Sequence, residues 1–436
     1  VAAVDSPVVA AVAAASTPGE ATTWLLALGS RGDVQPMAVL ARRLTDRGHR
    51  AVVIALHDAK QVCAELGAEF VGVDGSVDDA LVSARGPIGQ VLSRGSVGQA
   101  ALLVHWVRQL AGPVSEVLGR CVRPGDAVVT GVLGRSAALA LVEARHTRMA
   151  TVVFTGQVPT LRPSSHYFDE WFTPSRAWNR MGVRLNWLVA SELGHPIGVR
   201  LRSRLGLGRV SPRAEMHRAD RWPTLVAASP VLVPPADDWP DGVVQTGWLG
   251  APARDWAPDG ELAGFLAEGP VAWVGWGSFS AASREADVKL VAQAAALSGV
   301  RVLTPELIGL AQGRVSDEML AVGPVPHSSL FGRLDAVIHH GGAGTTQEGL
   351  RAGVPSMAVP FGVDQPWHAR RLHALGVGPA PVPIRRLDAD TLARRLEALV
   401  GTASYRERAA LIGARMRDER GPDAAVDALT RARVVL

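Results

Sequence analysis

The chain has 436 residues, 47% apolar and 20% charged, which is enough for two ordinary domains and unlike a disordered or fibrous chain. Its 45 Lys and Arg against 41 Asp and Glu leave a net charge of +4, too balanced to indicate a nucleic-acid partner. Two cysteines, Cys63 and Cys121, form neither a disulfide framework nor a metal-ligand spacing, so a reducing, cytoplasmic setting is expected.

Residues 1–21 are read as a disordered tail: their apolar patches lack a basic start and include Asp5 and Pro7, unlike a secretory leader. No uninterrupted apolar run reaches about 18 residues, so no transmembrane segment is expected. The first core strand is predicted over 22–30, TTWLLALGS. A loop, RGDVQP, follows, and then an amphipathic helix from Met37 with Val39, Leu40 and Leu44 on one face. AVVIAL (51–56) is the next strand, and QVCAELGAEFVGV reads as a helix running into a short strand. DAVVTGV (126–132) and ATVVFTG (150–156) are later strands, with a helix over about 136–145 between them. This alternation means a parallel sheet covered on both faces.

Residues 157–222 break the pattern with clustered aromatics: Tyr167, Phe168, Trp171, Phe172, Trp178 and Trp187. They either line an apolar pocket or cap the domain core with helices. Pro230, Pro234, Pro235 and Pro240 mark 229–249 as an irregular connector. A second β/α series starts at PVAWVGWGS (270–278). It runs through a helix at 284–298, the strands RVLTPE and AVIHH, a further helix, the strand SMAVPF and charged helices to 433. Two Rossmann-like halves joined by a connector make a cleft, and open parallel sheets bind ligands at the carboxyl ends of their strands.

One stretch of the second half carries concentrated chemistry: HHGGAGTTQEGLRAGVPSMAVPFGVDQP, residues 339–366. After the strand AVIHH, the turn GGAG lets the backbone approach an anion, and a helix from near Thr345 offers free N–H groups to a phosphate. His340 can donate a ring N–H to a diphosphate, Thr345 adds a hydroxyl, and the carboxylate of Glu348 suits ribose hydroxyls. Asp364 and Gln365 follow the next strand, where an acid and an amide suit a polyol. Together these residues read as a site for a sugar joined to a diphosphate. The spacing departs from the dinucleotide fingerprint, and no P-loop lysine follows.

Three motifs carry a family resemblance: GSRGDVQP (29–36), the connector SPVLVPPADDWPDGVVQTGWL, and VGPVPHSSLF…HHGGAGTTQEGLRAGVP…DQP. With them the chain resembles GT-B-fold glycosyltransferases acting on small molecules, both the bacterial antibiotic enzymes and the sterol glucosyltransferases. The resemblance implies an α/β fold of two Rossmann-like domains facing across a cleft. The N-terminal, acceptor-binding domain would span 22–228, the connector and hinge 229–249, and the nucleotide-sugar domain 250–412. Residues 413–436 would return to the N-terminal domain.

Carried over position by position, the resemblance makes Asp33 the catalytic base. It assigns the donor to Gly277, Ser278, Val325, His327, His340, Gly342, Ala343, Gly344, Thr345, Glu348, Asp364 and Gln365. Tyr167, Phe168 and Trp171 are expected at the acceptor. The implied reaction inverts the sugar of a UDP- or TDP-linked donor and needs no cofactor and no metal. Its acceptor is a lipophilic small molecule, and peripheral membrane contact would suit such an acceptor. Asp33 is expected to keep an ordinary pKa of about 4 and so to be ionised at pH 7. The string Asp388-Ala389-Asp390 reads as a helix cap and first-turn acid, not a metal site. Two other readings share the fold: a nucleotide-sugar epimerase, and an auxiliary protein that has lost the site.

Overall fold

A computed structural model describes residues 21–76, 96–165, 175–253, 255–276, 284–306 and 312–436. The tail expected over 1–21 lies outside them but for its last residue.

The first half is a seven-stranded parallel sheet. Its strands are β1 (Thr23–Ala27), β2 (Ala51–Leu56), β3 (Glu69–Val73), β4 (Ala127–Thr130), β5 (Arg148–Val153), β6 (Thr224–Val226) and β7 (Val243–Gln245), in the order β3-β2-β1-β4-β5-β6-β7. β1, β2 and β4 are buried along their whole length, which is why they read as unbroken apolar runs. The helices of this half are α1 (Arg31–Asp46), α2 (Lys60–Glu65), α3 (Ser96–Cys121), α4 (Arg135–Arg145), α5 (Arg176–Arg204) and α6 (Pro212–Ala219).

The second half holds α7 (Gly260–Ala267), β8 (Val271–Gly275), α8 (Arg284–Ser298), β9 (Arg301–Pro305), β10 (Gly313–Ser316), β11 (Met319–Val322), α9 (His327–Leu330) and β12 (Ala336–His339). It continues with α10 (Ala343–Ala352), β13 (Ser356–Ala358), α11 (Gln365–Ala374), α12 (Ala389–Gly401), α13 (Ala403–Arg417) and α14 (Gly421–Arg431). Its six-stranded sheet runs β10-β11-β9-β8-β12-β13, parallel except for β10 against β11. The two-sheet α/β architecture is the one expected.

Three local differences have physical causes. The helix expected from Met37 begins six residues earlier, at Arg31, because Ser30 caps it and Asp33 closes a capping box. Pro36 is tolerated inside its second turn: the bond it cannot make belongs to the carbonyl of Gly32, an exposed residue that water can serve. The connector is not wholly irregular, since Val243–Gln245 pairs in parallel with β6 as the edge of the first sheet. The hairpin β10–β11 went unseen because Gly313–Ser316 is only partly covered and carries no alternating pattern. In 157–222, the described part is a helical cap: α5 packs along α3 and α4, and Trp187 is buried.

After α13, which packs on α10, the chain crosses back and α14 docks on α1. Ala425, Val426 and Leu429 join the core of Leu25, Val34 and Leu44. Asp423 accepts from Arg43 Nε at 2.7 Å, and Asp427 accepts from Arg47 at 2.9 Å. Gly421, which starts α14, lies so close to the Trp248 carbonyl that a Cβ would overlap it. Gly421→Ala is therefore expected to cost about 1–3 kcal/mol, an overpacking penalty, although alanine is the better helix former. A thermal melt showing equal or higher stability would contradict this packing.

Candidate active site

At the end of β1, Ser30 Oγ accepts from the N–H of Gly32 at 3.3 Å, while Asp33 Oδ2 accepts from the N–H of Ser30 at 3.0 Å. The capping box thus fixes the Asp33 carboxylate within the first turn of α1, half-buried. Burial pushes its carboxyl up to about 7; the Ser30 N–H opposes this, and the charge of Asp364 in the other half adds to it. The ordinary pKa expected for Asp33 is thereby corrected: water that would solvate the anion is displaced, and one hydrogen bond does not replace it.

Across the cleft, β12 delivers His339 and His340 to a glycine turn. Gly341 takes φ +92°, and a Cβ there would press on Gln365. Both polar groups of this glycine are held by imidazoles. Its N–H donates to His339 Nδ1 at 3.0 Å, and its carbonyl accepts from His368 Nδ1 at 2.8 Å. These bonds put the His339 proton on Nε2 and the His368 proton on Nδ1. α10 then starts at Ala343 with Gly342 as its cap and no side chain on its first N–H groups, which leaves them to a ligand. Gly342, Ala343, Gly344 and Thr345 are half-buried along this turn.

His340 is half-buried, with its Nδ1 unpartnered among the described residues. Burial first, and His368 second, lower its pKa to about 4, so it is a neutral ring at pH 7. His327 stacks on Phe331 at 4.5 Å and meets Trp273 edge-on at 5.0 Å. Its pKa also falls to about 4, through burial, then the charges of Arg31 and His340. Arg31 belongs to the GSRGD segment of the first half, so the two motifs face one another. Val325 packs against the hydrophobic cluster that contains Leu330 and Phe331.

Glu348 is buried, and its Oε1 accepts the indole N–H of Trp248 at 3.2 Å. Burial raises its carboxyl; Arg351 and the Trp248 N–H counter this. Asp364 is half-buried with its carboxyl raised by burial, and lies 4.0 Å from His368 Nδ1. Gln365 Oε1 accepts from the N–H of Phe361 at 2.8 Å, which folds the loop under α11. Val363, just before this pair, holds φ +61°, a conformation costly for a β-branched residue.

The structure thus brings Asp33, Val325, His327, His340, the 342–345 turn, Glu348, Asp364 and Gln365 to the facing edges of the two halves. Gly277, Ser278, Tyr167, Phe168 and Trp171 lie outside the described residues. Asp388 is a helix cap, its Oδ1 accepting from Thr391 N–H at 2.7 Å. Four neighbours of the site escaped sequence reasoning: His368, Gln347, Trp248 and Glu419. Gln347 Oε1 accepts from the Ser229 N–H at 2.7 Å, and Glu419 Oε1 accepts from Ser229 Oγ at 2.5 Å. His368 sits one turn after Asp364 and had a readable i,i+4 spacing; the others act across 100 or more residues of chain.

The sequence profile of the erythromycin biosynthesis protein CIII-like C-terminal domain matches residues 289–431. O-mycaminosyltylonolide 6-deoxyallosyltransferase of Streptomyces fradiae is 29% identical over 91% of this chain and 94% of its own length. The sterol 3-beta-glucosyltransferase of Pichia angusta is 26% identical over 93% of this chain, which spans 33% of that larger enzyme. Among solved structures, the kitacinnamycin glycosyltransferase superposes with a TM-score of 0.67 over 95% of this chain and 100% of its own, at 21% identity. Motifs, fold and relatives agree on a glycosyltransferase with the GT-B fold, similar to the antibiotic and sterol enzymes.

Proposed function

We propose that the enzyme transfers a hexose or deoxyhexose from a UDP- or TDP-sugar to a hydroxyl of a lipophilic small molecule in the cytoplasm. The transfer inverts the anomeric carbon and uses neither metal nor cofactor. The observation that carries this reading is Asp33, a carboxylate of the first half that feels the charge of Asp364 across the cleft and is poised near neutrality. A base near the working pH suits concerted proton transfer. The acceptor oxygen bonds to the anomeric carbon as its proton passes to Asp33, and the bond to the diphosphate breaks. His340, Thr345, Ser278 and the free N–H groups of α10 take up the charge on the leaving diphosphate. Glu348 accepts from the pentose, while Asp364 and Gln365 hold the sugar. Support for a thymidine donor comes from a Streptomyces glycosyltransferase of this fold, 18% identical with a TM-score of 0.58, which was solved with thymidine diphosphate. The sterol-like connector and the Pichia relative support UDP-glucose as the second reading.

Calorimetric titration with UDP, TDP and GDP, with and without EDTA, tests the donor site. Binding of UDP or TDP that ignores EDTA is the expected result; no binding by any of the three would sink it. The pH profile tests the base. Asp33 acts only when ionised, so kcat/KM should fall as pH drops below about 7. Asp364→Asn removes a charge that raises the Asp33 pKa, so this acid limb should move to lower pH. A limb near 4 in the wild type would show the Asp33 carboxyl to be unshifted, and a limb that Asp33→Asn leaves in place would remove Asp33 as the base.

A further inference from the structure

Glu348 is only 6% exposed, and its two oxygens have different surroundings. Oε1 accepts the Trp248 indole N–H at 3.2 Å, and Gly250 lies beside this bond, where a Cβ would press on the indole nitrogen. Among the described residues, the hydrogen bond seen on this carboxylate is the one from Trp248, and it falls on Oε1. Trp248 is itself held in place. It is 6% exposed, its backbone N–H donates to Glu419 Oε2 at 3.4 Å, and its carbonyl packs on Gly421. Glu419 is anchored in turn by Ser229 Oγ at 2.5 Å. A carboxylate reads a vicinal diol best by offering one oxygen to each hydroxyl; here one oxygen is already engaged by a fixed indole.

We propose that Trp248 sets the pentose specificity of the donor site: by holding one oxygen of Glu348, it leaves the other to accept a single hydroxyl. The inference rests on Glu348 being the pentose contact. A 2′-hydroxyl then has to share Oε1 with the indole N–H and adds little affinity, so ribo- and 2′-deoxyribonucleoside diphosphates bind nearly alike. Releasing Oε1 makes the site discriminate in favour of ribose, because a newly formed hydrogen bond separates the two ligands.

The test is calorimetry of the full chain with UDP and 2′-deoxy-UDP, which differ in that one hydroxyl. The wild type should bind both with Kd values within about two-fold of each other, and Trp248→Phe should favour UDP by roughly three- to ten-fold. A wild type that already prefers UDP ten-fold, or a Trp248→Phe ratio unchanged from wild type, overturns the role of Trp248. Glu348→Ala separates the two levels. If it weakens both ligands while the ratios fail, the pentose contact stands and the inference alone falls. If it weakens neither, the pentose contact falls and takes the inference with it. The wild-type ratio needs no variant, so the inference can be overturned even where Trp248→Phe fails to fold.

Discussion

Asp33→Asn is expected to lower kcat by about 10²- to 10⁴-fold while leaving nucleotide affinity within about two-fold. The substitution keeps shape, and the amide oxygen can still accept from the Ser30 N–H, so the capping box of α1 survives in part. What is lost is the acceptor of the hydroxyl proton. The acid limb near pH 7 should vanish with it, since the group raised to about 7 is gone. Single-turnover rates with donor saturating, set beside nucleotide titrations, separate this from a folding defect. A variant that keeps more than a tenth of wild-type kcat would remove Asp33 from the chemistry.

The second large effect is at His340. Its ring is neutral at pH 7 because burial and His368 depress its pKa to about 4, so it stabilises a leaving diphosphate as a hydrogen-bond donor and not as a fixed cation. Removing one preorganised donor of this kind typically costs about 10²- to 10³-fold in kcat. His340→Ala should show that loss together with weaker nucleoside diphosphate binding, whereas Asp33→Asn leaves binding alone. If His340→Ala lowers kcat and leaves nucleotide affinity untouched, the ring does not face the diphosphate.

The parallel sheets and the donor motif were legible because their signals are local. β1, β2 and β4 are buried on both faces and therefore apolar without interruption. The glycine turn and its helix lie within a dozen residues of chain. What escaped was either weakly patterned or distant. Pro36 disguised the first turn of α1 as a loop, although Ser30 and Asp33 show the three-residue spacing of a capping box. The pKa of Asp33 depends on desolvation by surrounding walls and on a residue 331 positions away, neither of which a linear motif contains. The bonds from Ser229 to Gln347 and Glu419, and from Trp248 to Glu348, exist only once two passages of chain meet.

That meeting has a mechanical consequence. The outbound segment at Gly247 and Trp248 and the return at Glu419–Gly421 touch, sharing the Glu419 carboxylate and the contact of Gly421 with the Trp248 carbonyl. Two crossings at separate places would confine the lobes to one axis; two crossings that meet at one place form a single pivot. Any closing of the cleft would turn about that pivot. A single proteolytic nick in either passage would leave the lobes hung on the other, still aligned.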